Sequence, residues 1–382
     1  MKRIPVLEDL GSVKGKHVLV RSDLNVPLAY DDDGTATIVD DFRIRASLPT
    51  IEWLLAEGAK VTVCSHIGRP KGKVVEKYSM KPVQDYLRLI HPEVEVLENL
   101  RFNPGEEGND PGFVATLVEG QDAFVDDAFG AAHRAHASIV GPPRFLPSAA
   151  GRLLAREYEV ISGLLDEPVR PFVAIIGGAK VSDKLALIEA MLPKVDYMLI
   201  GGAMAYTFFA AQGLEVGDSL FEPDRVEACR RILDAGAKVL VPVDSAVLPS
   251  DAKFGRGESG AEPTLVSGSI PSGHRGLDIG PATIAGFCEV ISGAATILWN
   301  GPMGVFEDPR LSKGTFAIAR AVASSKAFSV VGGGDSAAAV DEAGLAGEIS
   351  HLSTGGGASL ELLEKGDLPG LAALRDAVNF RA

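Results

Sequence analysis

The sequence predicts an α/β protein built from two open parallel-sheet layers covered by helices, and three observations lead there. Its 382 residues suit two domains at the usual size of roughly 150 residues each. A unit recurs along the chain: a short apolar run, a glycine or polar cluster, then a segment of helical composition. The apolar runs are four to six residues long, rich in Val, Ile and Leu, and do not alternate with polar residues, as expected of strands covered on both faces.

In chain order, the first half gives strands in HVLVRSDLN and VTVCSHIGRP, then AFVDDAFG, with a shorter apolar run in VEVLENL and a helix beginning near Arg43 after an acidic turn. GPPRFLPSAAGRLLAREYEVISGLLDEPVRP follows, with prolines flanking a helical stretch from about Gly151 to Leu165, and is read as a connecting helix. The second half repeats the unit in PFVAIIGGAK, YMLIGGAM, TILWNGPMG and FSVVGGGDS. The domain boundary is expected near Glu157, giving 1–157 and 158–364. The second part carries most of the negative charge, and the first holds five of the seven histidines, so the two are expected to bind different things.

Composition narrows the function. Hydrophobic residues at 46% and charged residues at 23% describe a globular chain. Glycine, at 43 residues, exceeds its usual share of about 7%, and the excess belongs where backbone turns tightly or approaches a ligand. The formal charge of −14 argues against nucleic acid or an anionic membrane as partner, so any anionic ligand needs a local basic site. Cys64, Cys229 and Cys288 are far apart, show no CxxC spacing, and suit a reducing cytosol. MKRIPVLEDLGS lacks the apolar core of a signal peptide. The uncharged stretch Tyr197 to Leu214 is broken by Gly201 and Gly202 and reads as strand, turn and helix. A cytoplasmic protein is expected.

In open α/β sheets ligands lie beyond the carboxyl ends of the strands. In the first half those positions hold Arg21, Asp23 and Asn25, then His66 and Arg69, then Asp126, Asp127, His133, Arg134 and His136, with Arg101 after VEVLENL. If they cluster, several arginine forks converge on one cleft, a site for a small, multiply charged anion. Taken singly, each arginine is more simply a surface ion pair. HRAH offers two histidines but no convincing third and fourth metal ligand. The DDDG turn near Asp31 is a solvated loop, and KGKVVEK from Lys71 is a loop with at most a secondary chance of covering an anion.

The second half places glycines there instead: Gly177 to Lys180, Gly201 to Ala203, Asn300 to Gly304 and Gly332 to Asp335, each between an apolar run and an expected helix. Backbone N–H groups at a helix N-terminus favour phosphate. Lys180 and Lys184 are expected to share a face at the start of the GGAK helix. Asp335 is placed to hold Mg²⁺ between phosphates. No GxxxxGK[ST] is present, and GRGESG at Gly255 follows no apolar run and is read as chance.

Together these motifs resemble the phosphoglycerate kinase family. RSDLNVP, DDFRIRASLPTI, SHIGRPKG, LENLRF, DDAFGAAHRAHAS, GGAKVSDK, IGGAMAYTF, DIGP, WNGPMGVFE, VVGGGDS and STGGGASLELLE run in the family's order from Arg21 to Glu364. The resemblance implies two Rossmann-like three-layer domains joined by a helix and hinge, the C-terminal segment from about 365 to 382 returning to the first. It implies a monomer that uses Mg²⁺ to transfer the acyl phosphate of 1,3-bisphosphoglycerate reversibly to ADP, giving ATP and 3-phosphoglycerate, with hinge closure bringing the reactants together. By matching position, Asp23, Asn25, Arg43, His66, Arg69, Arg101 and Arg134 would bind phosphoglycerate. Lys184, Gly201, Gly202, Gly280, Asn300, Glu307 and the loop Gly332, Gly333, Gly334, Asp335 and Ser336 would bind nucleotide, with Asp335 on the metal. Arg43, Lys180, Lys184, Gly334 and Gly357 would meet the transferring group. Leu24, Asp126, Ala203 and KGDLPG depart from the family pattern without removing a charged ligand. The competing reading is a two-lobed anion-binding protein without catalysis.

Overall fold

Residues 2–31, 33–235 and 238–379 are the parts of the chain described by the computed structural model, and there the apolar runs form two separate parallel sheets. Residues up to Ser162 together with those from Lys365 onward make one unit, and Gly163–Glu364 the other. Met1, Asp32 of the DDDG turn, Gly236, Ala237 and residues 380–382 at the end of the C-terminal segment lie outside the described residues.

The first unit contains β1 (His17–Ser22), a hairpin of β2 (Leu28–Tyr30) and β3 (Ala36–Ile38), β4 (Lys60–Cys64), β5 (Glu95–Val96), β6 (Ala123–Asp127) and β7 (Ser148–Ala150). Its parallel sheet runs β5-β4-β1-β6-β7, so the chain works outward from β1 and then crosses back to β6. Such a reversal leaves a crevice at the carboxyl ends of the two strands beside it. The non-alternating apolar runs are explained by cover on both faces. Val18, Val20, Val63 and Val125 pack with Ile44, Ile51 and Leu54 of the helix Phe42–Ala56. Leu19, Cys64 and Phe124 meet Leu100 and Leu117 on the other side. The C-terminal helix Pro369–Arg375 belongs to this unit, with Gly370 N–H donating to Ala132 O at 2.9 Å. Asn379 accepts from Ser148 N at 2.8 Å.

A helix, Arg152–Asp166, carries the chain from the first unit into the second. Asp127 at the end of β6 caps its start, accepting from Leu153 N at 2.9 Å and Leu154 N at 3.2 Å.

The second unit holds β8 (Phe172–Ile176), β9 (Tyr197–Ile200), β10 (Lys238–Leu240), β11 (Asp244–Pro249), β12 (Thr264–Ser267), β13 (His274–Ile279), β14 (Thr296–Asn300), β15 (Phe328–Gly332) and β16 (His351–Leu352). The parallel sheet is β10-β9-β8-β14-β15-β16, reversing between β8 and β14. Val173, Ile175, Ile297 and Trp299 fill its core with Phe287, Ile318 and Val322. An antiparallel sheet, β12-β11-β13, has no counterpart in the sequence expectation. Its outer strand β12 has three of its four residues exposed, so no apolar run marks it.

Asp126, one of the departures from the family pattern, is fully buried beside Asp127. It accepts from Ala128 N at 3.0 Å, while its Oδ2 has no partner. Burial pushes its carboxyl up from 3.8 to about 7, opposed by the Ala128 N–H and the Arg21 charge. The folded chain then keeps a proton that the unfolded chain has released, so this residue's contribution to stability is lost as pH rises from about 4 to about 7. Asp126→Asn cannot ionise. Its thermal midpoint is expected to gain on the wild type between about pH 5 and about pH 8, by the equivalent of on the order of 2 kcal/mol. Parallel stability profiles for the two proteins would contradict this.

Candidate functional site

Each unit gathers a distinct cluster at the carboxyl ends of its central strands. In the first, β1 leads into Asp23 and Asn25, and β4 leads into His66 and Arg69. Arg43, in the first turn of the helix Phe42–Ala56, forms an ion pair with the largely buried Asp23, whose Oδ1 has no hydrogen-bond partner. Asn25 accepts from Gly68 N at 2.9 Å and Arg101 donates to Gly68 O at 3.0 Å, so both hold the same turn. Gly68 has φ +62°, and a Cβ there would lie 2.5 Å from the Tyr78 ring. The turn needs glycine, and it leaves Arg69 exposed.

His66 is buried. Burial first, then the charges of Arg21, Arg101, His136 and Arg43, push its imidazole well below the usual histidine range. Desolvation lowers Arg101 as well, partly offset by Glu107 3.5 Å away. Thus Arg43, His66 and Arg101 share one electrostatic neighbourhood, and Arg69 acts on Arg101. Arg134 is exposed on the turn after Phe129–Ala131. Three buried polar atoms here, Asp23 Oδ1, Arg101 Nε and His136 Nδ1, lack a hydrogen-bond partner, a pattern that fits a site shaped for a polar ligand.

One expectation needs correction. Arg21 is not a free fork in this cluster: it is completely buried, with its donors turned to Ser138, Ser22, Ser65 and His66. It belongs to the protein's interior because it lies within β1, paired with Cys64 and Asp126 on either side.

The second unit forms a cavity of about 220 Å³. Lys184, Asn300 and Ser336 contribute side chains, Asp335 a carboxylate, and Gly333, Gly334, Gly356 and Gly357 mainly backbone. Two nine-residue helices, Gly334–Glu342 and Gly357–Lys365, both begin at it. Their unsatisfied N–H groups and dipoles converge on one small space, which favours phosphate. Gly333, with φ +93°, makes the turn from β15 into the first helix. Lys184 Nζ donates to Asn300 Oδ1, whose amide donates to Gly332 O at 2.7 Å. Burial lowers the Lys184 pKa, countered by Asp335, Asp183 and Glu364. Ser336 Oγ accepts from Gly301 N at 2.6 Å, tying two loops together.

The expected helix face shared by Lys180 and Lys184 is not formed. The helix starts only at Leu185, with Lys184 as its cap and Lys180 exposed in the preceding loop. Val181 is buried and Ser182 is held by Glu222 through N at 3.0 Å and Oγ at 2.6 Å, which keeps this stretch a turn. NGPMG is likewise not followed directly by a helix, since the next begins at Lys313.

Gly201, Gly202, Gly280 and Glu307 do not line the cavity. A Cβ at Gly202 would lie 2.5 Å from Gly178 O, and one at Gly201 would lie 2.4 Å from Met303 Sδ, so glycine at both positions is what lets these loops pack closely. Gly280 precedes a helix whose first N–H groups are already taken by Asp244, at 2.9 Å from Ala282 and 2.8 Å from Thr283. Glu307 is exposed in the turn before Asp308. Gly356 also lines the cavity and is not among the expected site residues: GGGAS precedes a helix, but the strand before it, His351–Leu352, is too short to write an apolar run. A larger cavity of about 760 Å³ beside the β2–β3 hairpin is lined by Tyr30, Lys77 and Pro82 among others; it takes in the end of the KGKVVEK stretch and part of the DDDG turn but none of the residues assigned to phosphoglycerate or nucleotide.

The phosphoglycerate kinase profile matches residues 7–96 and 88–366. The chain belongs to the phosphoglycerate kinase family. It is 50% identical to phosphoglycerate kinase of Salinispora arenicola over 405 aligned positions, covering 98% of this chain and all of that protein. It is 49% identical to that of Roseiflexus castenholzii, covering 95% and 97%. The solved phosphoglycerate kinase of Coxiella burnetii shares 37% identity with a TM-score of 0.87, covering 97% and 99% of the two chains. That of Pyrococcus horikoshii OT3 shares 31% with a TM-score of 0.81, covering 99% and 100%. The chain is therefore a phosphotransferase of this family, and the reading as a binding protein without catalysis is set aside.

Proposed function

We propose that this family member transfers the acyl phosphate of 1,3-bisphosphoglycerate to ADP and the γ-phosphoryl of ATP back to 3-phosphoglycerate, with 1–157 and about 365–382 holding phosphoglycerate and 158–364 the nucleotide. The observation that carries the reading is the meeting of two helix N-termini, Lys184 and Asp335 around one small cavity in the second unit. A phosphate chain carrying a divalent cation uses all four.

Asp23, Asn25, Arg43, His66, Arg69, Arg101 and Arg134 bind phosphoglycerate in this reading, with Arg43 turned to the reacting carboxylate. That carboxylate is ionised at neutral pH, so the protein supplies no general base. Its work is alignment and charge stabilisation, the usual pattern of phosphoryl transfer. Charge spreads over the equatorial oxygens in the transition state, where Arg43, Lys180, Lys184 and the N–H groups of Gly334 and Gly357 stabilise it. Asn300 holds Lys184 in place, and Glu307, Gly201, Gly202 and Gly280 belong to the outer part of the nucleotide site.

Asp335, exposed at the first turn of its helix beside the anion cavity, suits a hard cation shared with phosphate oxygens. Among the described residues no group of three or more His, Cys, Asp or Glu side chains could hold a metal, so nucleotide oxygens and water would supply the remaining ligands. Bound Mg²⁺ would supply neutralisation of phosphate charge. The family resemblance further implies hinge closure during turnover, which scattering with both substrates bound would register as compaction.

We also infer a cytosolic location, supported by two buried free thiols and a half-buried third, and a monomer, as the family resemblance implies. A coupled assay with ATP, Mg²⁺ and 3-phosphoglycerate tests the activity. Nucleotide binding without 1,3-bisphosphoglycerate formation would defeat it.

A further inference from the structure

Arg21 and Glu106 are both completely buried, and they meet through a single hydroxyl. Ser138 donates to Glu106 from N at 3.0 Å and from Oγ at 2.6 Å. With its one proton turned to the carboxylate, Ser138 Oγ accepts from Arg21 Nε at 2.9 Å. At the other end of the guanidinium, Nη2 lies 2.9 Å from His66 Nδ1. A guanidinium has donors only, so Nδ1 is the acceptor and carries no proton. Ser65 and Ser22 O fix Nη1 as well, so Arg21 has no freedom to turn away.

We propose that Arg21, anchored on Glu106 through Ser138, is a positioning residue that holds His66 as the neutral tautomer with its proton on Nε2, so that His66 meets phosphoglycerate as a hydrogen-bond donor and not as a cation. The inference rests on the assignment of the His66 cluster to phosphoglycerate. The chain runs from Glu106 in the short helix Pro104–Glu107, through Ser138 on the short helix Ala137–Val140, to β1 and then to the turn after β4. A buried arginine whose counter-charge is reached through a fully satisfied hydroxyl is rigid, because moving it would strand both charges. The other groups acting on His66, namely Arg101, His136 and Arg43, are basic and also oppose a second proton there. The anion site thus gains a directed donor whose protonation does not follow solution pH, and its positive charge comes from arginines alone.

The test uses the full-length enzyme labelled with ¹⁵N-histidine, with the His66 signals assigned by a His66→Gln variant. In the wild type, Nδ1 is expected at the unprotonated position and Nε2 at the protonated one, unchanged from about pH 5.5 to about pH 8, where a free histidine titrates. In Arg21→Met, burial and the remaining basic groups still disfavour the charged ring, but the donor that fixes Nδ1 is gone, and a mixture of the two neutral tautomers is expected. The KM for 3-phosphoglycerate is then expected to rise roughly tenfold, with the KM for MgATP within about twofold of wild type. Arg21→Lys, which keeps a donor, is expected to restore the tautomer. Should Arg21→Met not fold, Ser138→Ala keeps the guanidinium but removes its anchor, and is expected to populate the second tautomer and raise the same KM about threefold. A His66 that titrates in the wild type, or a tautomer indifferent to Arg21→Met or to Ser138→Ala, overturns the proposal. Separately, a His66→Ala variant with unchanged KM for 3-phosphoglycerate overturns the assignment of the cluster itself, whatever the tautomer.

Discussion

Arg43→Ala is expected to lower kcat by roughly 10², about 3 kcal/mol, the usual loss for one preorganised donor at a site of developing charge. Arg43 has a second task visible in its surroundings. It is the ion-pair partner of Asp23, whose side chain is only 8% exposed and whose Oδ1 has no hydrogen-bond partner. Truncation therefore removes a cation from the anion site and also leaves a buried carboxylate uncompensated within it. The KM for 3-phosphoglycerate should rise along with the fall in kcat. The two effects separate in the double variant: adding Asp23→Asn to Arg43→Ala removes the stranded negative charge and should recover part of the KM but little of kcat. Arg43→Lys keeps charge without the planar fork and should fall between wild type and Arg43→Ala. Steady-state kinetics in the direction of 1,3-bisphosphoglycerate formation decide it. A near-normal kcat for Arg43→Ala removes this residue from the chemistry.

How far such sites can be read from sequence depends on how local their determinants are. The parallel strands were legible because two-sided burial writes a dense apolar run, as in FVAII of β8 and TILWN of β14. The polar residues at their carboxyl ends were therefore legible as strand-end positions, and Asp23, His66, Asn300 and Asp335 follow directly from that rule. What was not legible depends on contacts between distant segments. Lys180 and Lys184 have helical spacing, but Glu222, forty residues on, holds Ser182 and keeps the stretch in a turn. Arg21 has the strand-end position of a ligand, yet Ser138 and Glu106 draw it inward. In each case one side chain far along the sequence changes the role of a locally well-formed motif.

Lys184→Met is expected to lower kcat by at least roughly 10² and to raise the KM for MgATP, because it removes the cationic side chain lining the cavity where two helix N-termini converge. The side chain is half-buried, and Asn300, which itself donates to Gly332 O, is its hydrogen-bond acceptor. That arrangement explains why a lysine here is aimed and not mobile, and it gives a second, independent readout. Burial lowers its pKa, with Asp335, Asp183 and Glu364 opposing the shift. A cation whose pKa is depressed loses its proton at lower pH than an exposed lysine, so activity should fall on the alkaline side earlier than an exposed lysine would dictate. Phosphates bound in the cavity favour the charged form, so the alkaline limb should lie lower in kcat/KM, which reports the free enzyme, than in kcat. Lys184→Arg keeps a charge that does not titrate in this range and should lose the limb while retaining part of the rate. An alkaline limb that persists unchanged in Lys184→Arg belongs to another group, and a Lys184→Met enzyme with near-normal kcat shows that the helix termini alone neutralise the transferring phosphoryl.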